Sequence, residues 1–136
     1  MAIRSHRDLI VWQRAMELSV EARRIADRLP MRERHAMQEQ LRRSVTSIAA
    51  NIAEGYGRVD RGDFRRFISI ARGSLMETAT FIDLAVRMTY VTSAEAARAN
   101  SLIVEVGNML TALSKALQGR RAPARRTWRS DGTTSS

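Results

Sequence analysis

Apolar residues recur every three or four positions along most of this chain, the spacing that places them on one face of an α-helix. Proline, glycine or turn-forming residues separate four such stretches, and none shows the alternation of a half-buried strand. The pattern predicts helices over residues 8–29, 33–54, 63–90 and 92–119. Four amphipathic helices with short connections predict an all-α, antiparallel up-and-down four-helix bundle.

Local signals mark the ends of these helices. Asp8 and Asp63 are each predicted as N-caps, and Thr92 with Glu95 has the spacing of a capping box. Residues 55–57, Gly-Tyr-Gly, supply a permissive backbone for the end of the second helix. The first helix is predicted to bury one face, which consists of Trp12, Ala15, Met16, Ser19, Ala22, Ala26 and Leu29.

The second helix has an unusual segment, residues 44–53, that carries no charge. One of its faces continues an apolar stripe formed by Leu41, Val45, Ile48 and Ile52. The other sides are small and neutral, where a helix buried on one side only would carry charges. The segment therefore predicts contact with a second surface, most simply another copy of the chain, through Ser47, Ala50 and Ala53.

Length and composition limit the alternatives. A chain of 136 residues suits one domain, predicted over residues 1–119, and the absence of cysteine excludes disulfides and thiolate sites. No apolar run reaches the roughly 20 residues of a membrane span, and the N-terminus lacks the apolar centre of a secretion signal. We therefore expect a cytoplasmic protein without membrane contact. Residues 120–136 show no period and are predicted to form a disordered basic tail.

The formal net charge is +9, and Lys115 is the only lysine. Guanidinium groups suit phosphate recognition, although a GC-rich genome also favours arginine over lysine. The surplus charge predicts RNA or single-stranded nucleic acid as a partner. The predicted contacts are the arginines of the turn before the third helix and those of the tail, where Trp128 could stack on a base: Arg58, Arg61, Arg65, Arg66, Arg120, Arg121, Arg125, Arg126, Trp128 and Arg129. A solvated tail without function remains the alternative for the last six.

Five short motifs resemble one family. They are residues 8–13 (DLIVWQ), residues 29–30 (LP), residues 40–48 (QLRRSVTSI), residues 51–55 (NIAEG) and residues 71–74 (ARGS) with Glu77. In this order they resemble the four helix bundle protein family, also known for reading frames in intervening sequences of 23S ribosomal RNA genes. The resemblance covers about residues 5–118 and leaves the basic tail outside.

The resemblance implies a four-helix subunit that assembles, as in family members, into a ring-like homo-oligomer, a pentamer. The family is also similar in fold to accessory variability proteins of diversity-generating retroelements. Those proteins are basic pentamers that bind nucleic acid and work with a reverse transcriptase. This chain resembles the ribosomal RNA branch more closely, so the resemblance implies a reverse transcriptase as a partner only in the retroelement setting.

Several motif positions are polar and fall on the two middle helices: Arg42, Asn51, Glu54, Arg72, Ser74 and Glu77. One interpretation is a buried polar network that fixes helix register or subunit contacts, with Gly73 allowing a neighbour to approach closely. The other is a shared pocket in which Arg42 and Arg72 bind a phosphate or another anion.

No catalytic residues are predicted, and neither a cofactor nor a metal is implied. A di-iron bundle needs Glu-x-x-His pairs, whereas neither His6 nor His35 follows a glutamate by three residues. No serine lies in the Gly-x-Ser-x-Gly turn of a hydrolase.

Two functional hypotheses follow. The first is a non-enzymatic, basic, homo-oligomeric accessory protein that binds RNA or single-stranded nucleic acid with low sequence specificity, in a ribonucleoprotein or reverse-transcription process. The second is a protein–protein assembly scaffold with no nucleic-acid role.

Overall fold

The computed structural model describes residues 2–119, which form four α-helices. The helices are α1 (Ile10–Arg28), α2 (Glu39–Tyr56), α3 (Arg61–Arg87) and α4 (Ser93–Gly119). A 3₁₀ turn, His6–Asp8, precedes α1, and a second 3₁₀ turn (Met31–Glu33) and a π-helical turn (Arg34–Gln38) precede α2. No strand occurs in residues 2–119, so the all-α prediction is confirmed there. The predicted tail, residues 120–136, lies outside the described residues.

Each helix packs against its neighbours in the chain, and α4 returns to pack against α1. Arg42 near the start of α2 pairs with Asp27 near the end of α1, and Ser47 of α2 bonds Ser74 of α3. Arg98 in the first half of α4 pairs with Glu17 of α1. The four helices thus enclose one core between them.

The core is aliphatic and draws on all four helices. The predicted stripe of α2 is confirmed, because Leu41, Val45, Ile48 and Ile52 are all fully buried. The remaining large side chains that are fully buried include Leu18, Ile68, Leu75, Ile82, Leu102, Val106 and Leu110.

The predicted buried face of the first helix is partly wrong. Val11, Leu18 and Ile25 are buried together with the alanines of α1, whereas Met16 is 43% exposed. The helix is therefore rotated so that its long aliphatic residues enter the core and its Trp12 edge lies at the surface. Burial of the larger apolar area favours this rotation.

Two of the three predicted N-caps need correction. Asp8 does not cap α1; its carboxylate accepts hydrogen bonds from the backbone of Arg4 and Ser5 around the preceding turn. The cap of α3 is Asp60, whose Oδ2 accepts from the backbone N–H of Asp63 at 3.2 Å. The observed cap residues, Leu9 for α1 and Asp60 for α3, each lie within one turn of the predicted ones, a difference that spacing alone does not resolve.

The capping box of α4 is confirmed. Glu95 N–H donates to Thr92 Oγ1 at 3.0 Å, and Thr92 N–H donates to Glu95 Oε1 at 2.9 Å. The hydrogen bond from the Thr92 backbone, helped by the charge of Arg28, lowers the pKa of Glu95 below its usual value. Glu95 therefore completes the capping box of α4 as a carboxylate.

The two glycines that end α2 have different roles from the one predicted. Gly57 has φ −76°, which any residue adopts, so its backbone needs no glycine. Gly55 is buried against α3, where an added Cβ would lie 2.8 Å from Phe67 Cβ and 2.9 Å from Phe64 Cδ1. Gly55 therefore allows the close approach of α2 and α3 at this end of the bundle.

Candidate functional sites

A row of hydroxyl groups joins α2 to α3. Ser44 and Thr78, both buried, share a hydrogen bond of 2.9 Å between their hydroxyl oxygens. One turn further along α2, Ser47 and Ser74 share a bond of 2.8 Å, and the Asn51 amide donates to both the hydroxyl and the carbonyl of Ser47. Of the residues predicted for a polar network, the structure thus brings together Asn51 and Ser74, through Ser47.

The charged residues predicted for this network lie at the surface instead. Arg42 donates to Asp27 on α1 at 2.6 Å, and Glu54 accepts from Arg58 at 2.8 Å. Arg72 and Glu77 are exposed on α3 and take part in no ion pair within residues 2–119. Burying these charges would cost more desolvation than their pairing returns.

The structure also separates Arg42 from Arg72. Arg42 borders a depression between α1 and α2, while Arg72 borders a groove between α3 and α4. The anion pocket predicted to contain both arginines is therefore absent from the described bundle.

The predicted arginine cluster surrounds the turn between α2 and α3. The guanidinium carbons of Arg58 and Arg66 lie 4.9 Å and 4.6 Å from the centre of the Phe67 ring. Arg58 also pairs with Glu54, and Arg66 lies 4.0 Å from Asp63. These two arginines are thus partly compensated by carboxylates and held against an aromatic face.

The other two arginines of this cluster form no ion pair within the described part of the chain. Arg61 is half-buried in the first turn of α3. Arg65 is also half-buried, and its Nε atom has no hydrogen-bond partner among residues 2–119. The turn therefore keeps positive charge, although Glu54, Asp60 and Asp63 offset most of it.

A second cluster of basic residues, which the sequence pattern did not indicate, lies between α1 and α2. Arg23, Arg42 and Arg43 line an open depression of about 410 Å³ together with Glu39, Thr46 and Ser47. The sequence shows Arg42 and Arg43 side by side, but only the antiparallel register of α1 and α2 brings Arg23 beside them.

An apolar groove continues from this depression along α1 and α2. It has a volume of about 450 Å³, and Met16 and Val20 on its rim are 43% and 50% exposed. The lining residues are Trp12, Met16, Ser19, Val20, Arg23, Thr46, Ala49, Ala50 and Ala53. Of the predicted interface residues, Ala50 and Ala53 therefore lie in the groove, whereas Ser47 borders the basic depression and bonds α3.

A third groove of about 360 Å³ lies between α3 and α4, on the opposite side of the bundle. It contains Gly73 and Gly107 and is bordered by Met76, which is 58% exposed. An added Cβ at Gly73 would meet no atom within 4 Å. The predicted close approach at Gly73 is therefore absent within the described subunit.

No helix of residues 2–119 is long and apolar enough to cross a membrane. In the same range, no three histidine, aspartate or glutamate side chains lie close enough together to hold a metal ion. The predicted contacts Arg120, Arg121, Arg125, Arg126, Trp128 and Arg129 lie outside the described residues.

Fold and surfaces together define a small four-helix bundle that presents arginine clusters and apolar grooves. The family model described as 23S rRNA-intervening sequence protein matches residues 7–112, and the chain belongs to that family. No curated protein matches the chain significantly.

The chain is also similar to a solved structure, the crystal structure of a protein with unknown function from the S23 ribosomal protein family of Bacteroides thetaiotaomicron. The two sequences are 28% identical, and the match covers 77% of this chain and 98% of the other, with a TM-score of 0.72. The similarity extends over most of the bundle.

Proposed function

We propose that this protein is a non-enzymatic, basic, homo-oligomeric accessory protein that binds RNA or single-stranded nucleic acid with low sequence specificity. The observation that carries the proposal is the excess of arginine over carboxylate on the bundle, within a chain of net charge +9. Arginine side chains at the α2–α3 turn and between α1 and α2 present N–H donors to a polyanion. A ribonucleoprotein or reverse-transcription process is the setting we propose.

Self-assembly is the second part of the proposal. The apolar α1–α2 groove and the α3–α4 groove face opposite directions, so one surface of a subunit can meet the other surface of the next. Such head-to-tail contacts close a ring when the rotation between subunits permits, and a pentamer is the ring we propose. Gly73 supports this mode, because a glycine inside a helix costs about 1 kcal/mol relative to alanine and no atom of the described subunit requires it.

The nucleic-acid role is tested by light scattering coupled to size exclusion, with and without a short single-stranded RNA, at about 50 and 500 mM salt. We expect a defined oligomer that co-elutes with RNA at the lower salt only. The physical reason is counterion release, which makes log K fall by about 0.7 per phosphate neutralised for each tenfold rise in salt. An oligomer that does not bind RNA at either salt concentration would contradict the nucleic-acid role.

Assembly is tested by Ala50→Arg, which places a long charged side chain in the apolar α1–α2 groove. We expect this variant to lose the oligomer and elute near the 15.3 kDa mass of one chain. The matched control is Ala97→Arg, which adds the same charge at an exposed position of α4 outside the grooves. Equal masses for wild type and both variants would show that the groove is not part of the subunit contact.

The alternative function, a protein assembly scaffold, is favoured by one observation, the exposed apolar rim of the α1–α2 groove. A tight partner protein that persists at high salt and without nucleic acid would support it over the first proposal. Both functions use the same bundle, and salt dependence separates them because apolar contacts are not weakened by salt.

A further inference from the structure

We infer that the depression between α1 and α2 binds a backbone phosphate of single-stranded nucleic acid through Arg23, Arg42 and Arg43. We call this depression the α1–α2 basic site. The inference rests on the proposed nucleic-acid role. It specifies where one phosphate binds, at a site separate from the arginines of the α2–α3 turn.

Arg23 is the central group of this site. Its Nη2 atom donates to Thr46 Oγ1 at 2.6 Å, and the Thr46 hydroxyl donates in turn to the carbonyl of Arg42 at 2.7 Å. Thr46 thus donates its only hydroxyl proton within α2, and its oxygen holds the Arg23 guanidinium against α2. None of the ion pairs within residues 2–119 involves Arg23. Its charge is therefore uncompensated there, and most of its five N–H donors remain free for a ligand.

Arg42 and Arg43 add two more guanidinium groups, each in contact with one carboxylate of the described bundle. Arg42 meets Asp27 at 2.6 Å and Arg43 meets Glu39 at 3.3 Å, and the two carboxylate side chains are 68% and 52% exposed. Exposed ion pairs of this kind contribute little to stability. The arginines can therefore turn toward a phosphate at small cost, and three cations against two carboxylates leave a positive site.

The shape of the site suits a phosphate on a chain. The depression is open to solvent and measures about 410 Å³, so an extended strand can lay one phosphate among the arginines while its neighbours stay outside. Arginine forks match phosphate oxygens through paired N–H donors. The arginines of the α2–α3 turn are less accessible to a phosphate. Arg58 and Arg66 lie over Phe67 and beside carboxylates, and the other two are half-buried, whereas Arg23 and Arg43 are exposed.

The site borders the apolar groove through Arg23 and Thr46, which line both. In the proposed ring, a site beside the subunit contact would recur once in every subunit. A strand could then engage several copies in turn, which raises the overall affinity without strengthening any single contact.

The test compares two double variants of equal net charge in the full chain. Arg23→Gln with Arg43→Gln removes two guanidinium groups from the site. Arg24→Gln with Arg87→Gln removes two exposed arginines outside it; within residues 2–119, Arg24 pairs only with Glu21, one turn away. Binding of a fluorescent oligouridine RNA is measured by anisotropy across a salt series, with light scattering to record the mass of each variant.

We expect the site variant to bind about tenfold more weakly, as the removal of charge-assisted hydrogen bonds implies. The slope of log K against log salt should become shallower by about 0.7 for each phosphate that the variant no longer neutralises, while the control stays near wild type. Arg23→Lys should keep the slope but lose part of the affinity, because lysine keeps the charge without the fork.

The outcomes separate the site from the function. If the wild-type protein binds no RNA at low salt, both the proposed nucleic-acid role and the phosphate site are wrong. Equal weakening in both double variants would overturn the site alone and leave the role in place. Loss of the oligomer in the site variant only would overturn the site and assign the arginines to the subunit contact. Displacement of RNA by inorganic phosphate at constant ionic strength would show a site for free anions and overturn the nucleic-acid assignment.

Discussion

Replacing Gly55 by valine is expected to destabilise the bundle by about 3 kcal/mol, the upper part of the range for overpacked cores. The new Cβ would lie 2.8 Å from Phe67 Cβ, an atom fixed to the backbone of α3 that cannot swing aside. It would also lie 3.3 Å from the carbonyl oxygen of Phe64. Relief therefore requires α2 and α3 to separate, which opens the core beside them.

The measurement is the free energy of unfolding in a denaturant titration at one fixed protein concentration, because assembly would make stability depend on concentration. The matched control is Gly57→Val, two residues away, where φ is −76° and the nearest atom to an added Cβ lies 3.6 Å away. We expect the control to stay within about 0.5 kcal/mol of wild type, as for other surface changes. Equal stability of the two variants would contradict the close packing at Gly55.

The second large effect is expected at Thr78, which is fully buried between α2 and α3. Thr78→Val keeps the shape of the side chain but removes the hydroxyl that donates to the Ser74 carbonyl at 2.9 Å and bonds Ser44. A buried polar group left without its partner costs about 1–3 kcal/mol. We expect a loss near the lower end of that range, because the Ser44 hydroxyl loses its partner on α3 but can still donate to the Leu41 carbonyl, at 3.2 Å.

A double-mutant cycle with Ser44→Ala isolates this bond. The double variant should lose less stability than the two single losses combined, with an interaction energy above about 0.5 kcal/mol. Thr80→Val is the control, since Thr80 makes the same bond to a carbonyl one turn back but is exposed and has no partner on another helix of the described bundle. Strictly additive losses at positions 44 and 78 would show that the bond between α2 and α3 contributes nothing.

These two positions explain part of the neutral segment in α2. Ser44 and Ser47 face hydroxyl groups of α3, so a neighbouring helix of the same subunit covers that side. Ala50 and Ala53 face the apolar groove beside α1 instead. The absence of charge in residues 44–53 thus has two causes, one within the subunit and one at a surface that we propose for assembly.

The arginines that are neighbours in the sequence are not the ones that the fold leaves most accessible. The arginines around the α2–α3 turn stand out in the sequence because they are close together in the chain, yet carboxylates and Phe67 hold two of them. Arg23 is inconspicuous in the sequence, but it is the arginine of the α1–α2 basic site that pairs with no carboxylate of residues 2–119. Proximity along the chain therefore does not by itself show which arginines of a bundle keep free charge.

The sequence by itself determined the features that depend on neighbours within a few residues. The helical period, the apolar stripe of Leu41 to Ile52 and the Thr92–Glu95 capping box all arise within a few helical turns, so local spacing is enough to predict them. The five family motifs were likewise visible in the sequence, and the family match over residues 7–112 agrees with them.

Only the tertiary structure decided the features that depend on how one helix is rotated and placed against another. The rotation of α1 exposed Met16 and created the apolar groove, and the register of α1 against α2 placed Arg23 beside Arg42 and Arg43. The same kind of placement made Gly55 a close contact and left Gly73 open. The physical reason is that a helix offers several faces of similar polarity, and the choice among them is made by packing the whole core, not by any short stretch of sequence.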